Sequence, residues 1–263
     1  YGLRQFFYIM GSVVGSLIAA ILLGIYHNYR LVFWCSLIPI FFALIIVVFF
    51  VHDAPMYIYG KANKFEYHWK DLKRLPKFFW HIILVSSVLM LTRFSDSFLS
   101  LKARETGISI AVLPLFLMGY ELMHAFISLP VGWLADRLCR KKILMVGIII
   151  LIIANTVMVY AASPFFVLLG YLMGGMYMGV TQSLMSTLIA ENTSAYLRGS
   201  AFSIYYFTTG ISILIANPLS GYLSYYYQNA SAPFYGGLFF SVIASVLLLV
   251  LGSAATKHKC LQL

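Results

Sequence analysis

Hydrophobic residues make up 62% of this 263-residue chain and charged residues only 10%, with a mean hydropathy of +0.89. A soluble domain of this length needs a far more polar surface, so the composition excludes one. The net charge of +10 would point to nucleic acid in a soluble protein, but here the cations gather in the gaps between long apolar runs.

Those runs predict an all-α, multi-span membrane protein. An apolar stretch of about 20 residues is what a helix needs to cross the hydrocarbon layer. Eight such spans fall near 6–26, 31–51, 79–99, 109–132, 143–161, 165–189, 200–222 and 235–255. Only helices and closed barrels satisfy the backbone in lipid. These runs are too long and too continuous for barrel strands, which alternate in polarity over about 10 residues.

The first two spans are followed by segment 52–78, which is long, polar and basic, with Pro55 and Pro76 as helix breakers. Its lysines and aromatics suit a membrane surface. Nucleic-acid binding by this segment is set aside. It also carries Asp53, Glu66 and Asp71, and it holds no recognition motif.

The third span contains Arg93 and Asp96, and the fourth contains Glu121 and His124. A charge at mid-membrane costs about 2.5–3.5 kcal/mol on insertion scales, so it faces a cavity or a partner. Each pair has i,i+3 spacing, which predicts that its members share one helical face. Arg93 and Glu121 fall at similar depth. The functional reading is a polar cluster for substrate charge or proton coupling, since a carboxyl group or an imidazole there can change protonation. The structural reading is an ion pair of Arg93 with Asp96 or Glu121 that locks two helices.

After the fourth span comes Gly132-Trp133-Leu134-Ala135-Asp136-Arg137-Leu138-Cys139-Arg140-Lys141-Lys142. A short loop of this kind turns the chain between helices and exposes cations, with Asp136 placed to accept charge-assisted hydrogen bonds. Farther on, Gly170, Gly174, Gly175 and Gly179 make overlapping small-xxx-small patterns for close helix contact. Ala190-Glu191 precedes Arg198-Gly199-Ser200-Ala201-Phe202. Asn217-Pro218 is expected to break the seventh span locally and free a carbonyl to the cavity. The Tyr225-Tyr226-Tyr227 run suits an interfacial belt. The three cysteines, Cys35, Cys139 and Cys260, include no pair with metal-site spacing.

Basic residues set the orientation. With both ends cytoplasmic and alternating spans, fourteen of the eighteen lie on the cytoplasmic side and three outside, and Arg93 lies within a span. That bias predicts cytoplasmic ends and cytoplasmic loops 52–78, 133–142 and 190–199.

The segment from Gly132 to Lys142 resembles the G-x-x-x-D-R-x-G-R-K loop of the major facilitator superfamily, with Cys139 standing where the family has Gly. Ala190-Glu191 with Arg198-Gly199-Ser200-Ala201-Phe202 resembles the family's loop before its eleventh helix. Gly2-Leu3-Arg4 resembles the end of the equivalent loop before the fifth. Gly2, Gly11 and Gly15 also match the spacing of the family's antiporter motif, but Ser16 replaces its Pro and Ala19-Ala20 replace its last glycines, so no antiport is inferred.

On the family plan, residues 1–51 correspond to helices five and six, the last two helices of the N-terminal half. Residues 52–78 correspond to the central cytoplasmic loop, 79–256 to the six-helix C-terminal half, and 257–263 to a cytoplasmic tail. The chain starts at Tyr1, and the first four family helices are not in it. The expectation is a fragment of a longer protein or a truncated gene.

The resemblance implies secondary active or facilitative transport of a small solute by alternating access. The implied cavity residues are Arg93, Asp96, Glu121 and His124. The loop residues are Gly132, Asp136, Arg137, Arg140 and Lys141 in one loop, and Glu191, Arg198 and Gly199 in the other. The implied partners are the bilayer, a small-molecule substrate and protons as the coupling ion. No enzyme chemistry, cofactor, metal or nucleic acid is expected. The expected location is the cell membrane, specifically a bacterial inner membrane. The alternatives are a transporter-like assembly or sensor protein, or a truncated non-functional transporter. Substrate, direction and coupling ion are not written in the sequence.

Overall fold

The structure is a computed structural model that describes residues 2–50, 75–194 and 197–255. Most of the segment 52–78 and the tail 257–263 lie outside the described residues. The elements are α1 (Gly2–Tyr26), α2 (Tyr29–Phe50), α3 (Lys77–Leu91), α4 (Asp96–Glu105), α5 (Leu113–Arg137), α6 (Arg140–Tyr160), α7 (Pro164–Glu191), α8 (Arg198–Tyr227) and α9 (Ala232–Ala255). Among the described residues there is no strand.

Among the described residues, eight crossings are long and apolar enough to span a bilayer, as the sequence predicts. One of them is built differently from its expectation. The third crossing, Lys77–Glu105, is not a single helix but α3 followed by α4, with residues 92–95 between them outside any helix. Arg93 and Asp96 therefore do not share one face of a continuous helix. Arg93 sits in the interruption, and Asp96 opens α4.

Connections follow local chemistry. At the turn from α1 to α2, His27 adopts φ of 51° and the Arg30 N–H donates to Asn28 Oδ1 at 3.0 Å. Pro164 stands at the first position of α7, where its fixed φ suits a helix start and its missing N–H costs nothing. Gln228 ends α8 in the left-handed region, with its N–H turned back to Ser224 O and Tyr225 O.

The interior is made chiefly by α3, α5, α6, α7, α8 and α9. One cluster centres on Phe79, Leu89, Ile148, Leu184 and Ile189. A second, at the opposite end of the bundle, centres on Ala103, Val167, Tyr171 and Phe234. Helix α1 packs along α5 through Ile9, Val13 and Ala125. Helix α2 buries no residue and lies against α1.

In lipid there is no hydrophobic drive between helices, so tight packing and hydrogen bonds carry the association. The glycine series of α7 supplies that packing. A methyl group on Gly175 would drive into the Tyr120 carbonyl oxygen of α5. One on Gly179 would come within 2.8 Å of the His124 carbonyl oxygen. One on Gly174 would meet the Tyr120 ring at 3.1 Å. Helices α5 and α7 thus approach backbone to backbone beside Glu121.

Candidate functional site

The interruption between α3 and α4 lies near the middle of its 29-residue crossing. At mid-membrane each unsatisfied backbone group costs several kcal/mol, so a break persists only where neighbours supply partners. Local bonds satisfy part of it. Thr92 N–H and Oγ1–H both donate to Leu89 O, at 3.1 and 2.6 Å, and Arg93 N–H donates to Met90 O at 3.1 Å. Ser95 caps α4 by accepting from Ser97 N–H at 3.3 Å.

A further donor is met from another helix. Ser95 N–H donates to Asn217 Oδ1 of α8 at 2.7 Å, while Asn217 Nδ2 donates to Ile213 O at 3.2 Å. Both ends of the Asn217 amide are engaged, so its orientation is fixed. The expectation of a break at Asn217-Pro218 fails, because α8 runs unbroken through Pro218. Pro218 removes only the N–H that would bond the Leu214 carbonyl. The helix that breaks is the one Asn217 touches.

Asn217→Leu should cost about 0.5–1.5 kcal/mol, the usual net worth of one hydrogen bond, because Ser95 is exposed. Amide hydrogen exchange at Ser95 to Phe98 should accelerate with it. Asn217→Asp, which keeps the acceptor, should restore slow exchange.

Side chains leave the interruption on opposite sides. Phe94 points inward and meets Phe98 and Phe234 edge-on, at centroid distances of 6.1 and 5.1 Å. Arg93 is exposed, and so is Asp96. Among the described residues neither Arg93–Asp96 nor Arg93–Glu121 is a close ion pair, so the structural locking of Arg93 by an acid is not what the bundle forms. The three charges are nonetheless neighbours. Asp96 lies within electrostatic range of Arg93 and Glu121. Tyr120 lies within range of all three. Arg93 also reaches Tyr177 of α7 and Tyr205 of α8 in the same sense.

Glu121 belongs to the seam between α1 and α5. Ser12 Oγ–H donates to Glu121 Oε1 at 3.2 Å, and His124 Nδ1 stands 3.4 Å from Glu121 Oε2. The i,i+3 expectation thus holds for this pair. The glutamate side chain is 26% exposed and His124 is buried. His124 Nε2 is buried without a hydrogen-bond partner in the structure. Nothing in the sequence singled out Ser12, a small hydroxyl in an apolar helix whose partner lies 109 residues away.

The two motif-bearing loops meet at one end of the bundle. Arg140, first residue of α6, forms an ion pair with Glu191, last residue of α7. Each is opposed by its own helix dipole, a cation at an N-terminus and an anion at a C-terminus, and the pairing offsets both. Arg140 Nε–H also donates to Ala135 O at 3.3 Å, and Lys141 Nζ to Leu249 O of α9 at 3.4 Å. The Arg137 guanidinium lies 4.0 Å over the Trp133 ring.

Asp136 lies in the last turn of α5, and Gly132 and Gly199 both have open space around them. Arg198 opens α8 and is exposed. Cys139 takes φ of −64°, so the position needs no glycine here.

The comparisons agree with this geometry. The family model described as Major Facilitator Superfamily matches residues 90–260, well over half of the chain. An uncharacterized MFS-type transporter of Methanocaldococcus jannaschii is 25% identical over 256 residues, covering 95% of this chain. The chain spans 63% of that relative's length. With the interrupted third crossing, the paired motif loops and the match over residues 90–260, the chain belongs to the major facilitator superfamily.

Proposed function

We propose that this chain forms part of a secondary transporter that moves a small solute across the membrane by alternating access. The observation that carries this reading is the interruption at residues 92–95. It places an exposed arginine and an exposed aspartate in the middle of an otherwise apolar crossing. Irregular backbone and charge at that depth are tolerated where they line a cavity, and transporters use such sites for substrate.

Helices α1 and α2 then belong to one half of the transporter, and α3 to α9 make the other. The seam between α1 and α5 is where the halves meet. Glu121 is the coupling carboxylate on that seam. In this reading protons are the coupling ion, and the Glu121–His124 pair, 3.4 Å apart on that seam, is the group that carries them. The role is transport rather than catalysis.

The test uses the protein as its gene encodes it, reconstituted in proteoliposomes with an imposed pH gradient. Proton flux evoked by a substrate from a panel of small solutes supports the reading. Tight binding of such a solute with no solute-dependent flux in either direction refutes it.

Orientation follows from the basic end. That end, which holds Arg137 to Lys142 and Arg198, should face the cytoplasm. A cysteine at Lys142, exposed in the structure, should react with an impermeant maleimide in inverted vesicles and not in intact cells. Labelling of intact cells reverses the orientation.

Asp136→Asn should leave membrane levels unchanged and lower the transport rate, because it removes charge from the loop while keeping shape. Unchanged flux would leave the loop as a topology signal alone.

A further inference from the structure

We infer that the solute is a zwitterion, with its carboxylate held by Arg93 and its ammonium group by Asp96. This rests on the transport reading and names its substrate class. An anion carrier needs uncompensated positive charge in its cavity, and a cation carrier needs negative charge. The interruption presents one of each. Arg93 and Asp96 lie on either side of Phe94 and Ser95, both exposed, within electrostatic range of each other. Among the described residues, neither side chain makes a hydrogen bond or close ion pair.

The backbone between them is anchored. Asn217 pins Ser95, and Phe94 is wedged against Phe98 and Phe234. The pair is therefore offered, open, to a ligand that carries both signs.

Glu121 is not the ammonium partner, because its two oxygens already face Ser12 and His124. That divides the acids: Asp96 meets substrate and Glu121 meets the proton. Behind the pair, Tyr120, Tyr177 and Tyr205 of three different helices lie within electrostatic range of Arg93, the last two buried in the core. The guanidinium binds a carboxylate in a two-pronged fashion that lysine cannot match.

The experiment is thermal unfolding of the protein, as its gene encodes it, in lipid nanodiscs. The zwitterionic probes are alanine, phenylalanine, γ-aminobutyrate and glycylglycine. Alaninamide carries the cation alone, and N-acetylalanine the anion alone. At least one zwitterion should raise the melting temperature by roughly 5–10 °C at a hundredfold excess over its Kd, and the single-charge analogues should not. Arg93→Gln should abolish the zwitterion shift, and so should Asp96→Asn, each at unchanged melting temperature without ligand.

The inference is overturned if no zwitterion stabilises the protein, if a single-charge analogue does so equally, or if either variant retains the shift. Its failure is separable from failure of the transport reading. Solute-driven proton flux with an anion or a cation but no zwitterion would sink this inference alone. Zwitterion binding without any flux would sink the transport reading alone.

Discussion

Glu121→Gln should abolish gradient-driven accumulation while downhill exchange of the same solute continues. One proton coupled to one solute lets a one-unit pH gradient sustain about tenfold accumulation, since a pH unit is worth about 1.36 kcal/mol. The variant should hold the ratio at unity. Glutamine keeps the size of the side chain and an oxygen that still accepts from Ser12 Oγ–H, so the seam between α1 and α5 stays closed as before. What it cannot do is bind and release a proton. If Glu121 served only to neutralise Arg93, the single change would strand a charge in a low-dielectric site and destabilise the fold. Arg93→Gln combined with Glu121→Gln would then restore folding and accumulation together. The absence of a close Arg93–Glu121 pair predicts the opposite, and a fully active double variant would defeat the coupling role.

Gly175→Ala should be the most destabilising single methyl in the bundle. The added carbon would drive into the Tyr120 carbonyl oxygen, which is backbone and cannot rotate away. Helices α5 and α7 would have to separate. The cost should reach about 3 kcal/mol, the upper part of the usual overpacking range, lowering the melting temperature by roughly 6–12 °C. Gly119→Ala tests the same interface from the other helix. There the new methyl meets only Leu172 Cδ2 at 3.3 Å, the tip of a side chain that can turn aside. It should cost little. Equal losses at the two positions would mean that α5 and α7 are not in backbone contact. Because Tyr120 immediately precedes Glu121, Gly175→Ala should also disturb the coupling carboxylate.

The crossings were legible in the sequence because length and hydropathy are nearly sufficient to define a helix in lipid. The motif loops were legible because their charges must stay at one surface. The glycines of α7 could be read as a packing stripe, but not which carbonyls they would meet. The interruption at residues 92–95 was missed, although Ser95 followed by Asp96 is an ordinary helix-start signal. Apolar residues on both sides hid it inside what read as a single span. Asn217 carried no local sign of its role, since the N–H it accepts lies 122 residues away. Pro218 misdirected the reading. A proline within a helix loses one bond and need not end it, and here the loss falls on an exposed turn beside Leu214. Ser12 could not be read at all, because a hydroxyl in an apolar helix takes its meaning from the opposing helix.

The most direct test is the movement of α1 against the six-crossing body. Spin labels at Phe7 of α1 and Lys142 of α6, both exposed, report the distance across the basic end in a cysteine-free version of the protein as its gene encodes it. The account predicts two distance populations whose ratio shifts between acidic and alkaline buffer, and a ratio that no longer responds to pH in Glu121→Gln. A single distance unaffected by pH, or a pH response that survives Glu121→Gln, would contradict it.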